Sequence, residues 1–301
     1  MPDLSIIIIS YSTSAITKRC LDTLVTSSSY EPEFTAEIII LDNNSPDDSA
    51  EMLTTYAHQI NASSSHLTMK VILKKENLGF GKGNNEAVKH AASDTLLFLN
   101  SDTEALEDAL PALYKAFKSG TYTFAGAHLL NKDLSEQPSA GRFYTLPIAF
   151  LALFLFADRF HITRYAPTQD QLVDWVSGAC FITSRASYEA LGGFDPAIFM
   201  YWEEVDLFYR AHQRGMSVGY VRKPTFIHLE GASSGSRTAP IVKVFEGYIM
   251  FYKKHYSPLH VRVITYMLKL KASVSWMIGK LTLNTYLTTT YSHAYEAIKK
   301  N

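Results

Sequence analysis

The chain has 301 residues, 47% of them hydrophobic and 19% charged, the composition of an ordinary globular protein with room for one large domain or two smaller ones. Its net charge of -1 gives no basic excess for nucleic acid, and two cysteines, Cys20 and Cys180, are too few for a disulfide framework and fit a reducing compartment. No signal peptide is expected, because the apolar run Ile6 to Ile9 is short and has no basic segment before it.

Leu4 to Ile9 is continuous and rich in β-branched residues, so it reads as a first buried strand, with Ser10-Tyr11-Ser12-Thr13 as the loop after it. Ala15 to Val25 has helical spacing through Ile16, Cys20, Leu21 and Leu24. Glu37 to Leu41 is a second buried strand, ending in Asp42-Asn43-Asn44-Ser45, and Asp47 to Ile60 reads as a helix with Pro46 near its start. Val71 to Leu73 is a short third strand. Asn77 to Asn85 (NLGFGKGNN) reads as a glycine-rich loop leading into a helix over Glu86 to Ala92. Gly79, Gly81 and Gly83 follow neither the dinucleotide spacing nor that of a P-loop, which disfavours both.

Thr95 to Leu99 is a fourth strand that changes abruptly to Asn100-Ser101-Asp102. Strands alternating with helices imply a mostly parallel sheet, whose chemistry sits at the carboxyl ends of its strands. Asp42 and Asp102 then open onto one crevice. A carboxylate there suits a hard cation, and a cation suits the diphosphate of a nucleotide; the plain alternative for Asp102 is a helix cap.

Leu106 to Lys118 reads as a helix and Tyr122 to Leu130 as a strand. The apolar stretch Leu146 to Ala157 is too short to span a bilayer and is either a core helix or a lip that dips toward lipid. Asp174 to Thr183 is a strand broken at Ser177-Gly178-Ala179, where Gly178 leaves room for a sugar or diphosphate against the backbone. Arg185 to Leu191 is a helix stopped by Gly192-Gly193. Tyr201-Trp202 leads into Glu203-Glu204-Val205-Asp206, the first turn of a helix to about Arg214. Acids favour a helix N-terminus on general grounds. Three of them beside aromatic residues also suit a partly desolvated base. Val218 to Val221 is a further strand, with Phe226 to Gly231 after it, and Ala232 to Ala239 is small and polar, a candidate lid bearing Arg237.

From Phe251 onward eight Lys/Arg stand against one acid, Glu296, a net of +7, while the first 250 residues carry -8. With Val261, Ile264, Leu268, Trp276 and Leu281 at helical spacing, residues 246–301 read as a basic amphipathic helical extension that packs on the body of the protein, rests on an anionic membrane surface or meets a second copy of the chain.

The succession ISYS, EIIILDNNSPDDS, NLGFGKGNN and LFLNSD resembles the nucleotide-sugar half of family 2 glycosyltransferases, most nearly the bacterial rhamnosyltransferase-like members. The resemblance covers about Leu4 to Ser234 and implies the GT-A fold: an α/β, Rossmann-like, mostly parallel sheet flanked by helices. It implies a domain over 1–245, with a nucleotide-binding half (1–104) and an acceptor half (105–245). The activity implied is inverting transfer from a nucleoside-diphosphate sugar to a glycan or lipid-linked acceptor, in cell-surface polysaccharide synthesis on the cytoplasmic face of the membrane. It places Asp42 at the nucleobase, Asp102 of the reduced motif Asn100-Ser101-Asp102 on Mn2+ or Mg2+, and His228 as the residue completing the metal site. Glu204 stands where the family has its base, usually Asp, with Glu203 beside it. Ser10, Tyr11, Asn44, Gly79, Gly81, Asn84, Gly178, Trp202, Asp206 and Arg237 are the expected donor and acceptor contacts. The first loop departs from the family in having Tyr11-Ser12 for Tyr-Asn. A nucleotidyltransferase is the second enzyme class considered, disfavoured by the absence of glycine and base in Ser10 to Thr13; an inactive sugar-nucleotide-binding scaffold is the third reading.

Overall fold

The computed structural model describes residues 1–300 apart from 32, 65, 158 and 231–237. In chain order the elements begin β1 (Leu4–Ser10), α1 (Ser14–Ser28), β2 (Ala36–Asp42), α2 (Ser49–Ser63), β3 (Leu67–Leu73), α3 (Gly79–Val88), β4 (Thr95–Asn100) and β5 (Thr103–Ala105). They continue with α4 (Ala109–Lys118), β6 (Phe124–Leu130), β7 (Ala140–Gly141), α5 (Leu146–Phe154), β8 (Arg164–Tyr165), β9 (Gln171–Leu172), β10 (Trp175–Val176), β11 (Cys180–Ser184) and α6 (Arg185–Ala190). The last are α7 (Glu203–Gln213), β12 (Val218–His228), α8 (Thr238–His255), α9 (Pro258–Leu281) and α10 (Thr285–Lys300). Two compact units result. The first comprises Met1–Gly141, Tyr165–Phe199 and Glu203–Ser233; the second comprises Arg142–Arg164, Met200–Trp202 and Ser234–Asn301.

The first unit is built on a sheet ordered β3-β2-β1-β4-β11-β6-β12-β5, with β9 also paired to β12. The pairs β3/β2, β2/β1, β1/β4 and β6/β12 are parallel, whereas β11 runs antiparallel to both neighbours and β5 antiparallel to β12. Ile6, Ile7 and Ile8 of β1 are wholly buried, as continuous apolar parallel strands covered on both faces must be. One face carries an aliphatic core of Leu4, Ile6, Ile8, Ile38 and Ile40 against Leu21 and Leu24 of α1, Leu53 of α2 and Leu110 and Leu113 of α4. An aromatic cluster lies elsewhere in the unit: Phe98 stacks on Phe181 at 4.7 Å between centroids and meets Tyr188 and Phe194, and Phe181 meets Phe208 of α7 edge-on at 5.3 Å. Burying such side chains contributes about 1.5–3 kcal/mol each.

The second unit is helical. Trp202 is its aromatic centre, 4.4 Å from the Tyr248 ring, 5.0 Å from Tyr144 and 5.4 Å from Phe251. The α8 backbone comes so close at Gly247 that an added Cβ would lie 2.1 Å from Trp202 Cδ1. Small residues do the same for α9 and α10, which pack on each other with Ala272, Gly279, Ala294 and Ala297 buried.

The structure differs from the sequence expectations at four places. The glycine-rich stretch is not a loop: it forms α3 itself, so the helix expected at Glu86–Ala92 begins at Gly79 and ends at Val88. A helical glycine costs about 1 kcal/mol relative to alanine, but here the missing side chains admit neighbours. A Cβ at Gly79 (φ +76°) would lie 2.6 Å from the Phe199 carbonyl oxygen, and one at Gly81 3.1 Å from Phe194 Cβ. Strand β3 starts four residues before Val71, since its alternating Leu67-Thr68-Met69-Lys70 is a half-covered edge. Strand β12 runs unbroken from Val218 through Pro224 to His228, with a register shift between Val221 and Thr225 that accommodates the proline. The apolar run from Leu146 forms α5, but only Ala149 and Leu153 of it are buried, so it is not a core helix.

Candidate active site

Strand register assembles the site. Ser10 pairs with Asp42 across β1/β2 and Ile9 with Asn100 across β1/β4, so the carboxyl ends of β2, β1 and β4 lie side by side. The Asn100 N–H donates to the Ala179 carbonyl at 2.9 Å, which brings the Ser177–Ala179 break between β10 and β11 alongside. A Cβ on Gly178 would be 3.6 Å from Glu204 Cβ, at the start of α7. This chain of neighbours connects Asp42 through Asn100 to Glu204 within the first unit.

The β5/β12 pair supplies the other part. His228 pairs with Thr103, and Leu229 N–H donates to the Asp102 carbonyl at 3.0 Å. The side chains meet as a result: His228 Nε2 lies 3.3 Å from Asp102 Oδ1 and 3.3 Å from Asn100 Nδ2. Gln137, which no motif marked, fixes the imidazole. Its Nε2 donates to the His228 carbonyl at 3.1 Å and to Asn131 Oδ1 at 2.9 Å, so its Oε1 accepts from His228 Nδ1 at 2.8 Å. Gln137 thus accepts from Nδ1–H and turns Nε2 toward the Asp102 carboxylate and Asn100 Nδ2. Nε2 and the Asp102 carboxylate are the pair of groups here that could hold a cation, with the ring oriented from its other nitrogen by Gln137.

Asp42 is 3% exposed; its Oδ2 accepts from Ser45 N–H at 3.1 Å, and its buried Oδ1 has no hydrogen-bond partner among the described residues. That is an acceptor waiting for a donor. Beside it Asn43 ties down the turn before α3, giving Nδ2 to Asn77 Oδ1 (2.9 Å) and to the Gly79 carbonyl (3.2 Å) and taking Leu78 N–H (2.8 Å). Ser12 and Asn44 adopt positive φ (54° and 64°), and Ser12 N–H donates to Ser45 Oγ at 2.9 Å, which links the two loops flanking the crevice.

Glu203 is 3% exposed, and burial holds its carboxyl well above the usual carboxylate range, with the neighbouring Glu204 carboxylate adding to the shift. Glu204 is half-buried. Asp206 receives Arg210 Nε at 2.8 Å, and that guanidinium also donates to the Leu191 and Gly193 carbonyls at 2.6 and 2.8 Å, locking α7 to the end of α6.

The remaining expected contacts fall as follows. Ser10 is buried, with its Oγ 3.1 Å from Thr17 Oγ1; Tyr11 is 38% exposed; Asn100 and Ser101 are half-buried. Gly79, Gly81 and Asn84 are buried in the packing of α3, where Asn84 Nδ2 donates to the Phe80 carbonyl at 3.0 Å. Trp202 packs in the aromatic core of the second unit. Arg237 and the lid expected around it lie outside the described residues. Gln137 sits in a stretch with no periodicity or motif, and nothing local separates Asn43 from the other polar residues of its turn, so the sequence alone points to neither.

A parallel Rossmann-like sheet with acids at its strand ends, continued by a mixed β11/β6/β12 half, is the GT-A glycosyltransferase fold. Residues 5–192 match the family described as Glycosyl transferase family 2, and the chain belongs to that family. The low-salt glycan biosynthesis hexosyltransferase Agl10 of Haloferax volcanii is 23% identical over 235 residues, 76% of this chain and 67% of that protein. The rhamnosyltransferase WbbL of Escherichia coli K12 is 28% identical over 169 residues, 53% of this chain and 63% of WbbL. The N-acetylglucosaminyl-diphospho-decaprenol L-rhamnosyltransferase of Mycobacterium tuberculosis is 23% identical over 235 residues, 71% of this chain and 73% of that one. Among solved structures, GalNAc-T7 with UDP, GalNAc and Mn2+ superposes with a TM-score of 0.64 at 17% identity, over 90% of this chain and 50% of that one. The mannosyltransferase PcManGT from Pyrobaculum calidifontis, in complex with GDP-Man and Mn2+, gives 0.57 at 15% identity over 100% and 87%. At these identities the likeness is one of fold. The protein is thus a glycosyltransferase, as the sequence motifs led us to expect, and the nucleotidyltransferase reading falls away.

Proposed function

We propose that the chain is an inverting transferase that moves a sugar, rhamnose being the choice its relatives suggest, from a nucleoside-diphosphate donor to a glycan or lipid-linked acceptor in polysaccharide synthesis, with Mn2+ or Mg2+ as cofactor. The observation that carries this reading is the approach of His228 Nε2 to Asp102 Oδ1 at 3.3 Å, with the ring's other nitrogen occupied by Gln137. One imidazole and one carboxylate suit a divalent cation that takes its other ligands from diphosphate oxygens and water, and no larger cluster of acids, histidines and cysteines forms there among the described residues. When bound, the metal would neutralise charge growing on the leaving diphosphate.

The chain's own residues do the rest. Asp42, at the end of β2, offers its buried Oδ1 to a donor group on the nucleobase. Glu204 takes the proton of the acceptor hydroxyl as that oxygen attacks the anomeric carbon from the face opposite the diphosphate, which inverts the configuration. Burial of Glu203 favours its neutral form, which limits the charge beside Glu204. Gly178 keeps the wall next to Glu204 low.

The test is a panel of nucleotide sugars with Mn2+ or Mg2+, read as release of nucleoside diphosphate with and without a polyprenyl-diphosphate-linked sugar as acceptor. One donor should be turned over. Asp102→Asn should abolish turnover in both formats, and Glu204→Gln should abolish transfer to the acceptor. Full turnover by Asp102→Asn would remove the assignment.

A further inference from the structure

The second unit carries a surface that the transfer chemistry does not use. On α9, the residues Val263, Tyr266, Leu270, Val274, Met277 and Leu281 recur every three or four positions and are 37–79% exposed. At about 100° per residue they fall within an arc of about 80° along the helix. Ile264, Leu268, Ala272 and Gly279 are buried on the other side, where α9 packs on α8 and α10. The stripe is thus a second apolar face, left exposed among the described residues. It broadens toward α5: Lys271 Nζ sits 5.5 Å over the Phe156 ring, and Phe156 and Phe160 are 67% and 68% exposed.

Charge brackets this face. The same helical geometry puts Arg262, Lys269 and Lys280 along one edge of the stripe and Lys271 along the other, and α9 contains no acid. Among the described residues no helix is long and apolar enough to cross a membrane. The geometry points to a bilayer surface rich in anionic lipid as the occupant: α9 lies in the plane of the interface, its stripe in the acyl boundary and its lysines among the headgroups. A bilayer supplies apolar depth and negative charge together, which is what the stripe and its basic edges require. A second copy supplies the first but opposes the second, because a two-fold pairing through this face would set one basic extension, +7 over residues 251–301, against another. Tyr266 and Trp276, 69% and 42% exposed, add rings suited to headgroup depth. The proposal stands apart from the donor chemistry and survives or fails without it.

The full chain is floated with phosphatidylcholine vesicles and with vesicles that also contain phosphatidylglycerol. It should rise with the anionic vesicles, stay down with the neutral ones, and be released by salt. Leu270→Glu with Met277→Glu should abolish binding. Lys269→Ala with Lys280→Ala should weaken it by about 25-fold, at about fivefold per lysine. Lys70→Glu, an exposed charge on β3 of the first unit, should bind as the parent does. All variants should release nucleoside diphosphate at the parental rate in solution, which shows that they fold and separates this test from that of the transferase reading. Binding unchanged in both double variants, or equal binding to neutral vesicles, overturns the proposal. So does a dimer in sedimentation equilibrium that the double Glu variant splits, because the face would then belong to a second copy.

Discussion

Glu203 offers a direct thermodynamic test of how the start of α7 is built. Its side chain is 3% exposed, and burial followed by the Glu204 carboxylate raises its folded-state pKa. In the unfolded chain it titrates near 4.3. Below that value both states hold the proton and no penalty exists. Between the unfolded and the folded pKa the unfolded state ionises and the folded one does not, so stability falls by about 1.4 kcal/mol per pH unit until the folded group also ionises. Glu203→Gln keeps the shape and removes the titration. The two proteins should be equally stable near pH 4, and the variant should gain steadily as the pH rises above the unfolded value. Urea unfolding at a series of pH values measures this. Taking the difference between the two proteins cancels groups they share, including His128, whose pKa burial lowers. Parallel profiles, or a Gln variant that is the less stable at neutral pH, would mean that Glu203 is ionised in the fold and held by a positive partner, and the neutral-neighbour account of the base would be wrong.

Further expectations concern the supports of the site and the core of the second unit. Gln137→Leu leaves His228 Nδ1–H without its acceptor; Mn2+ affinity, followed by electron paramagnetic resonance, should drop by about 10–100-fold, and unchanged affinity would separate Gln137 from the metal. Asp42→Asn replaces the buried acceptor proposed to meet the nucleobase with a group that can donate, and nucleotide affinity by calorimetry should fall by about 5–150-fold, the equivalent of about 1–3 kcal/mol, without loss of fold. Arg210→Met removes the guanidinium that donates to the Asp206 carboxylate, 1% exposed, and to the Leu191 and Gly193 carbonyls, and should lower stability in urea unfolding by about 3–5 kcal/mol. Gly247→Ala should lower the melting temperature, although alanine is the better helix former, because the added methyl would meet Trp202 Cδ1 at 2.1 Å; a rise would show that Trp202 moves aside.

The half of the fold that repeats strand and helix was legible because each strand there is a short apolar run with a polar stop. β1, β2 and β4 announce themselves in this way, and so do Asp42 and Asp102 at their ends. His228 was reached through a motif, and the structure adds the reason it meets Asp102, the β5/β12 pairing. Strand β5 itself was illegible, because Thr103-Glu104-Ala105 has no pattern of its own and is held by a partner more than a hundred residues away. Helix α3 was hidden by tertiary override: three glycines argue locally for a loop, and only contacts with Phe199, Phe194 and Ile9 reward a helix. The second unit was half visible. Helical spacing and basic charge marked residues 246–301, but nothing local links them to 142–164 and 200–202, which share their core through Tyr144 and Trp202.

The pairing of β5 with the end of β12 has a temporal meaning as well. Asn100 and His228 stand 128 positions apart in sequence, with Gln137 between them. During synthesis the acid at the end of β4 would exist long before the imidazole-bearing strand that completes its pair, so the proposed cation site stays half-built until the last strand of the sheet has docked. A nascent or truncated chain ending before Val218 would keep Asp42 and lose His228, half of the proposed metal and diphosphate site. Retention on an immobilised nucleotide loaded with Mn2+ would therefore separate completed sheets from partly folded ones.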